Sequence, residues 1–235
     1  MKIIRNFACF CLFATLSLIA TSCNSNDPYD GGDWGNILTD IATFVSTSDN
    51  GSVFTVQEDG DSPAVTLTFI NKLTNKDLIP GTRWLLAYIP ESGVAYQSGP
   101  ATLFGISYVL NGTLEEATAE STTNWRSMGQ NVDAVWRTGK WLNINAQCDY
   151  VTRSPKQYSL VVDETTLEDP YPVVHLLYEA DTSAQSETKR LFSSFDISSV
   201  WDLPNVKGIT LNIVGLSGNL LYKFDKGTQT VQPVE

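Results

Sequence analysis

The stretch AVTLTFIN, residues 64–71, alternates apolar with polar side chains along most of its length. Val65, Leu67 and Phe69 are separated by two threonines, and a period of two places the apolar residues on one face of a β-strand. Threonine and β-branched residues also suit a pleated, half-buried surface. This stretch therefore predicts a strand of an all-β domain with one face in the core.

Neighbouring segments repeat this alternation, and turn-forming sequences such as SDNG, EDGDSP and IPGT separate them. The strands predicted in this first series are Ile37–Ser46, Val53–Glu58, Ala64–Asn71, Arg83–Ile89 and Leu103–Leu110. Five strands within about 75 residues, the first of them long, are typical of a small barrel such as the OB-fold. We therefore expect an OB-like five-stranded barrel over residues 36–112.

A polar, helix-tolerant stretch at residues 113–131 predicts a linker, and a second series of strands follows it. These strands are Val132–Arg137, Trp141–Asp149, Gln157–Asp163, Val173–Glu179, Lys189–Ile197, Gly208–Val214 and Leu220–Asp225. Seven short strands over roughly 100 residues match an immunoglobulin-like β-sandwich. The second domain is accordingly predicted over residues 132–235.

The N-terminus has the pattern of a lipoprotein signal peptide. Lys2 and Arg5 precede a mostly apolar run, Phe7–Ala20, that is too short to span a bilayer. Small residues then lead into Cys23, as in a bacterial lipobox, where the cysteine is acylated and becomes the new N-terminus. Residues 1–22 are therefore predicted to be removed; an ordinary secretory signal is the alternative.

Charge and composition indicate how the mature chain meets the membrane. The chain has a net charge of −11, and removal of two basic residues with the signal peptide changes it to −11 − 2 = −13. Such a charge is a poor match for nucleic acid or for an anionic membrane surface. Residues 23–35 are polar and turn-rich and predict a flexible tether. We expect attachment through the lipid, on the outer membrane, with the periplasmic or the surface-facing side undecided.

Cysteine usage agrees with export of a chain without disulfides. Cys9 and Cys11 leave with the signal peptide and Cys23 carries the lipid, which leaves Cys148 alone in the mature chain. An intramolecular disulfide is thereby excluded. Cys148 lies in an alternating segment, which favours a buried, inert thiol over a reactive one.

Six segments follow the lipobox and the acidic tether in the order PGTRWLLAYIP, ATLFGISYVLNG, VWRTGKWLNINAQCDY, YSLVVDE, VVHLLYE and FDIS. The order of these pieces resembles that of the NigD-like lipoproteins of Bacteroidetes. The resemblance covers nearly the whole chain and implies an N-terminal OB domain and a C-terminal β-sandwich. Its family name implies a bacteriocin-immunity role, and it supplies no catalytic residue.

Catalytic and metal-binding patterns are weak. His175 is the only histidine, it lies within a predicted strand, and no GxSxG-like nucleophile turn occurs in the sequence. One histidine and one spare cysteine cannot form a zinc site. We therefore expect no enzyme, no catalytic or metal-binding residue and no cofactor. A pair of carboxylates for glycoside hydrolysis stays an open alternative, because sequence cannot place two acids across a cleft.

Two tryptophans are the candidate functional residues. A two-residue turn at Thr138–Gly139 would set Trp136 opposite Trp141, on the strand face away from Leu142 and Ile144. One interpretation is that the barrel or the linker covers them, as a domain interface. The other is an exposed aromatic platform for a protein partner or a sugar ring.

Two classes of function remain open. The first is a lipid-anchored, non-catalytic binding protein that recognises another protein, with a cationic partner favoured by the net charge. The second is an accessory glycan-binding lipoprotein of the outer membrane. An OB-like barrel suits either function, because its open face takes peptide or oligosaccharide.

Overall fold

The computed structural model of the chain describes residues 37–117, 127–227 and 232–233. The predicted signal peptide 1–22, the lipid-attachment residue Cys23 and the tether lie outside the described residues, as does the part of the predicted linker at 118–126. Over the described ranges, no helix combines the length and the apolar character needed to cross a membrane.

Five strands form the N-terminal barrel. They are β1 Leu38–Ser48, β2 Gly51–Val56, β3 Val65–Phe69, β4 Arg83–Pro90 and β5 Gly99–Tyr108. Their order is β1-β2-β3-β5-β4, and β1 closes the barrel by pairing with both β2 and β4. β1 can serve two partners because it is eleven residues long and has a bulge between Phe44 and Ser46. The predicted five-stranded barrel is confirmed.

Aromatic rings fill the barrel interior. The ring centroids of Phe44 and Phe54 lie 5.2 Å apart, those of Phe54 and Phe69 5.8 Å apart, and those of Phe69 and Tyr88 6.2 Å apart. Leu67 is buried beside them, on the same strand face as Phe69. The alternation has the predicted effect over Val65–Phe69, since Leu67 and Phe69 are buried, Val65 is half-buried and the two threonines are exposed.

The C-terminal part is one curved sheet of nine strands. The strands are β6 Leu110–Ala117, β7 Asn131–Thr138, β8 Trp141–Tyr150, β9 Gln157–Asp163, β10 Val173–Glu179, β11 Glu187–Asp196, β12 Gly208–Gly215, β13 Gly218–Asp225 and β14 Gln232–Pro233. Their order is β14-β13-β12-β10-β9-β6-β11-β8-β7. A short helix, α1 Ser198–Trp201, follows β11, and a 3₁₀ turn at Glu164–Thr166 follows β9.

The two halves of this sheet fold over a shared core. Leu142 and Ile144 of β8 pack in one cluster with Leu160 of β9, Leu176 of β10 and Leu211 of β12. The predicted β-sandwich is confirmed, and its seven predicted strands all form. Among the described strands, β6 pairs in parallel with β9 and with β11, and β10 pairs in parallel with β12; the sequence does not predict these pairings.

Strand β6 corrects the predicted linker. Residues 113–117, assigned to a linker from the sequence, complete β6, which joins the two halves of the sheet. β6 has a weak sequence signal, because Leu114 is its one buried side chain over residues 111–116 and two glutamates follow it. Gly112 fits the strand because a Cβ there would lie 2.6 Å from the Phe195 ring. Asn36–Glu235 forms one compact unit that contains barrel and sheet.

Candidate functional site

The β7–β8 hairpin turns one residue later than the sequence predicts. Thr138 pairs with Trp141, and Trp136 lies opposite Asn143, so the predicted pairing of Trp136 with Trp141 is wrong. The position of the glycine explains the difference. Gly139 has φ +56° and is the first of the two loop residues, as in Gly-X hairpin loops, whereas the prediction placed it second.

The shifted register keeps both tryptophans on one face of the sheet. Residues directly opposite each other share a face, and so do residues two apart along a strand. Trp136, Trp141 and Asn143 therefore lie on the face opposite the core residues Leu142 and Ile144. Both indoles are half-buried.

Trp141 meets the barrel through a stacked arginine. The guanidinium carbon of Arg83, at the start of β4, lies 5.2 Å from the centroid of the Trp141 ring, and Lys140 Nζ lies 5.0 Å from it. Cations over an indole face are attracted by the ring quadrupole. This contact favours the domain-interface interpretation for Trp141. The role of Trp136, as part of an interface or of a binding platform, stays a prediction.

Arg83 links three strands by hydrogen bonds. Its side chain is 3% exposed. Nε donates to Ser194 Oγ of β11 at 3.2 Å, Nη1 donates to Thr43 Oγ1 of β1 at 2.8 Å, and Nη2 donates to Thr138 Oγ1 of β7 at 3.1 Å. One barrel residue therefore holds the barrel strand β1 and the sheet strands β7 and β11 together. We call the contact region around Arg83 the barrel–sheet junction.

Amide side chains extend the junction. Asn143 Nδ2 donates to Thr138 Oγ1 at 3.0 Å, and Ser194 Oγ donates to Asn143 Oδ1 at 2.8 Å. Asn111 of β6 pairs with the backbone of Arg83, because its Oδ1 accepts from Arg83 N at 2.6 Å and its Nδ2 donates to Arg83 O at 3.1 Å. Buried polar networks of this kind specify one geometry when their members are satisfied.

The junction holds a charge that burial makes costly. Burial lowers the pKa of the Arg83 guanidinium to about 9, and the charge of Asp40 partly offsets this shift. The side chain is still protonated at neutral pH, where three hydroxyl oxygens and an indole face replace its water shell. Each of these contacts is therefore important for stability.

A second arginine locks the hairpin to the barrel loop between β2 and β3. Arg137 is 4% exposed, its guanidinium lies 4.4 Å from the Trp201 ring centroid, and its Nη1 donates to Asp61 Oδ1 at 2.9 Å. This hydrogen bond lowers the pKa of the Asp61 carboxyl. Gly60 N donates to Arg137 O at 2.8 Å and Gly139 N donates to Gly60 O at 2.7 Å, so the backbones also join.

Another polar cluster lies inside one end of the barrel. Asp40 Oδ2 accepts from the Tyr88 hydroxyl at 2.9 Å, and Asp40 Oδ1 accepts from the Tyr96 hydroxyl at 3.0 Å. Burial raises the pKa of Asp40, and the two phenolic hydrogen bonds oppose that shift. Tyr96 lies in the loop between β4 and β5 and has a positive φ of 52°. The cluster therefore ties this loop to β1.

His175 lies at the centre of the sheet. It is half-buried opposite Asn212 of β12, whose Nδ2 lies 3.4 Å from His175 Nδ1. Burial lowers the pKa of His175, and the charge of Asp163 partly offsets this shift. Within the described ranges, no group of three or more His, Cys, Asp and Glu side chains could hold a metal ion.

Cys148 lies in the sandwich core. Its Sγ is 3.9 Å from Gln130 Oε1, and the thiol is buried. Burial raises the pKa of this thiol to about 12, so the thiolate that would react is not populated near neutral pH. The expectation of a buried, inert thiol agrees with this geometry.

Among the residues that build the junction, the sequence singles out Trp141 but not Arg83, Ser194 or Asn143. Arg83 begins an otherwise apolar strand and lies in PGTRWLLAYIP, one of the segments that carry the family resemblance, which is the signal that could have marked it. For Arg137, Asp61 and Ser194 no local signal exists, because their partners lie tens of residues away in the chain.

Comparisons with known proteins support the fold. No protein-family model matches the chain, and no curated protein matches it. A solved structure of a DUF1344 protein of unknown function from Bacteroides vulgatus is similar, with a TM-score of 0.66 and 16% identity over 85% of this chain and 96% of that one. A NigD-like immunity protein from Bacteroides caccae has a TM-score of 0.54 and 14% identity over 84% and 91%.

A third solved structure agrees with these two. It is a protein named as toxin-related from Parabacteroides distasonis, with a TM-score of 0.58 and 16% identity over 80% of this chain and 92% of that one. Identities this low show a shared fold. The resemblance to NigD-like proteins, inferred above from sequence segments, is therefore confirmed at the level of the fold and over most of the chain.

Proposed function

We propose that the protein is a lipid-anchored, non-catalytic binding protein of the cell envelope with an immunity-like role toward a cationic protein partner. The observation that carries this proposal is the fold, which it shares over 84% of its length with a protein named as a NigD-like immunity protein. Another protein of similar fold, from Bacteroides fragilis, is named as a lipoprotein. Together with the lipobox at Cys23, these names favour an envelope role.

The geometry of the molecule supports binding over catalysis. The buried guanidinium of Arg83 at the barrel–sheet junction donates hydrogen bonds to sheet strands. His175 lies opposite an asparagine of the same sheet. The barrel and the sheet belong to one compact unit, and a preformed binding surface lowers the entropic cost of binding a partner. A mature net charge of −11 − 2 = −13 would accelerate encounter with a cationic protein.

The test combines the anchor and the partner. Intact-mass spectrometry should find a mature chain that starts at an acylated Cys23, and Cys23→Ala should leave uncleaved or soluble protein. Cross-linking in intact envelopes should then capture a basic protein whose association with the purified chain weakens as salt rises. A mature N-terminus elsewhere without lipid would contradict the anchor. Binding that salt does not alter would contradict the cationic partner.

A further inference from the structure

A cavity of about 390 Å³ opens at the start of β7, beside the β12–β13 hairpin. The residues that line it are Gln130, Asn131, Val132, Gly215, Leu216, Ser217, Gly218, Asn219 and Leu220. Its size is within the usual range for small-ligand sites. Neither the lipid anchor nor the barrel–sheet junction involves these residues.

Two close backbone approaches build this cavity. Gln130 N donates to Val214 O at 3.0 Å, and Gln130 forms an isolated parallel bridge with Gly215. Gly129 permits this approach, since a Cβ there would lie 2.9 Å from Gly215 O. The described residues give no further backbone pairing between β7 and the hairpin, so the two diverge beyond the bridge and leave the cavity between them.

The chemistry of the lining selects a neutral ligand. None of the described lining residues carries a charge, although the chain as a whole is at −11. Three of the lining side chains are carboxamides and one is a hydroxyl. A carboxamide presents a donor and an acceptor side by side, which matches a pair of neighbouring hydroxyl groups. Val132, Leu216 and Leu220 add aliphatic surface that suits the C–H face of a sugar ring.

One lining residue has an unused donor. Gln130 is 2% exposed, and its Oε1 accepts from the Tyr158 hydroxyl at 3.2 Å. Its Nε2 is buried without a hydrogen-bond partner among the described residues. This nitrogen is enclosed by protein atoms, and the amide is held in the core by Tyr158, so Gln130 closes the inner wall and its side chain does not contact a ligand. Leu216, at the tip of the hairpin, is 75% exposed beside the opening.

We propose that this cavity is a binding site for one neutral sugar residue, held by the carboxamides of Asn131 and Asn219 and by the aliphatic side chains of the lining. None of the described lining residues is aromatic, so the expected affinity rests on hydrogen bonds and aliphatic contacts. Binding through hydrogen bonds and aliphatic contacts is expected in the millimolar range for a single sugar, and tighter for a longer glycan. The proposal is independent of the protein partner proposed above.

Methyl NMR of the whole mature chain tests the site directly. With ¹³C-labelled Leu and Val methyl groups, the chain is titrated with glucose, galactose and N-acetylglucosamine, each to about 100 mM. At least one sugar should give saturable shifts at Val132, Leu216 and Leu220, while the core methyls of Leu142 stay unchanged. Loss of one hydrogen-bonding amide weakens binding by about three- to tenfold. Asn131→Ala and Asn219→Ala should each show this loss.

Matched controls decide the interpretation. Asn71→Ala removes an exposed carboxamide from a barrel loop and should leave the sugar titration unchanged. Three outcomes would overturn the proposal: no shift with any of the sugars, shifts that the two cavity variants leave unaltered, or shifts at these methyls with acetate or methylammonium in place of sugars. Since the variants lie on exposed side chains, they should stay folded, which their unshifted core methyls would show.

Discussion

The two ends of strand β7 differ in the contacts that fix them. At Thr138 the strand meets buried arginines, a network of hydroxyl and amide hydrogen bonds, and a backbone bridge to Gly60 of the barrel. At the other end, Gln130 directly precedes the strand and forms one bridge with the β12–β13 hairpin, and the described residues that line the adjacent cavity are uncharged. Buried charge and side-chain hydrogen bonds are thus concentrated where the barrel and the sheet join. The opposite end of β7 borders the cavity proposed as a sugar site.

The largest expected effect is at Arg83. Arg83→Ala removes the donor shared by Ser194, Thr43 and Thr138 and leaves a void in a buried site, so we expect the free energy of unfolding to fall by about 3 kcal/mol. Urea unfolding of the full mature chain measures it. The matched control is Arg153→Ala, an exposed arginine in an ion pair with Asp77, whose replacement should lower the free energy of unfolding far less. Equal losses for the two variants would contradict the importance of the junction.

Trp141 and Trp136 test which side chains stabilise the junction end of β7. Trp141→Ala removes the ring beneath Arg83 and should destabilise by about 2 kcal/mol, below the value for a fully buried indole because the residue is half-buried. Trp136→Ala should cost less if Trp136 serves a partner instead. Thermal unfolding of each single variant measures the difference, and acrylamide quenching of indole fluorescence checks exposure. Efficient quenching together with an unchanged melting temperature in both variants would make the pair a binding platform.

Asp61 offers a smaller, pH-dependent test. Its pKa is lowered in the folded protein by the hydrogen bond from Arg137, so its stabilisation is present above the unfolded pKa of about 3.9 and is lost as the pH falls through the folded value. Asp61→Asn should cost about 1 kcal/mol or less at pH 7, because the carboxyl is 58% exposed. Unfolding measured from pH 7 to pH 2 should show a shallower acid loss in the variant. A parallel loss in both proteins would exclude this ion pair as a contributor.

Local patterns in the sequence are sufficient for most of the strands. Alternation at residues 64–71 and in the seven later segments identifies strands because each such strand has one face in the core. Alternation does not identify β6. Leu114 alone gives no period of two, and the strand forms because β9 and β11 hydrogen-bond to it on either side. The hairpin register depends on whether Gly139 is the first or second loop residue, which composition does not determine.

The junction and the cavity could not be predicted in this way. Arg83 finds its partners 40, 55 and 111 residues away in the chain, so its burial follows from the docking of two modules and not from any local pattern. The cavity depends on a single bridge between Gln130 and Gly215. Both features depend on how strands that are distant in the chain pack against each other. The alternation of apolar and polar residues within one strand does not determine that packing.

The smallest expected effect on stability is at His175, which lies in β10, away from both ends of β7. Burial lowers the pKa of His175, so the unfolded chain binds the proton more readily and stability falls as the pH drops below about 6.5. His175→Gln removes this titration while keeping a polar side chain opposite Asn212. At pH 8 the free energy of unfolding should change by about 0.5 kcal/mol or less, and at pH 5 the variant should lose less stability than the wild type. Urea unfolding at the two pH values measures both quantities, and binding of the cross-linked partner should be unaffected.

If a hydrolytic activity were found for this protein and this single change reduced it by orders of magnitude, His175 would be catalytic and the binding function proposed here would be wrong.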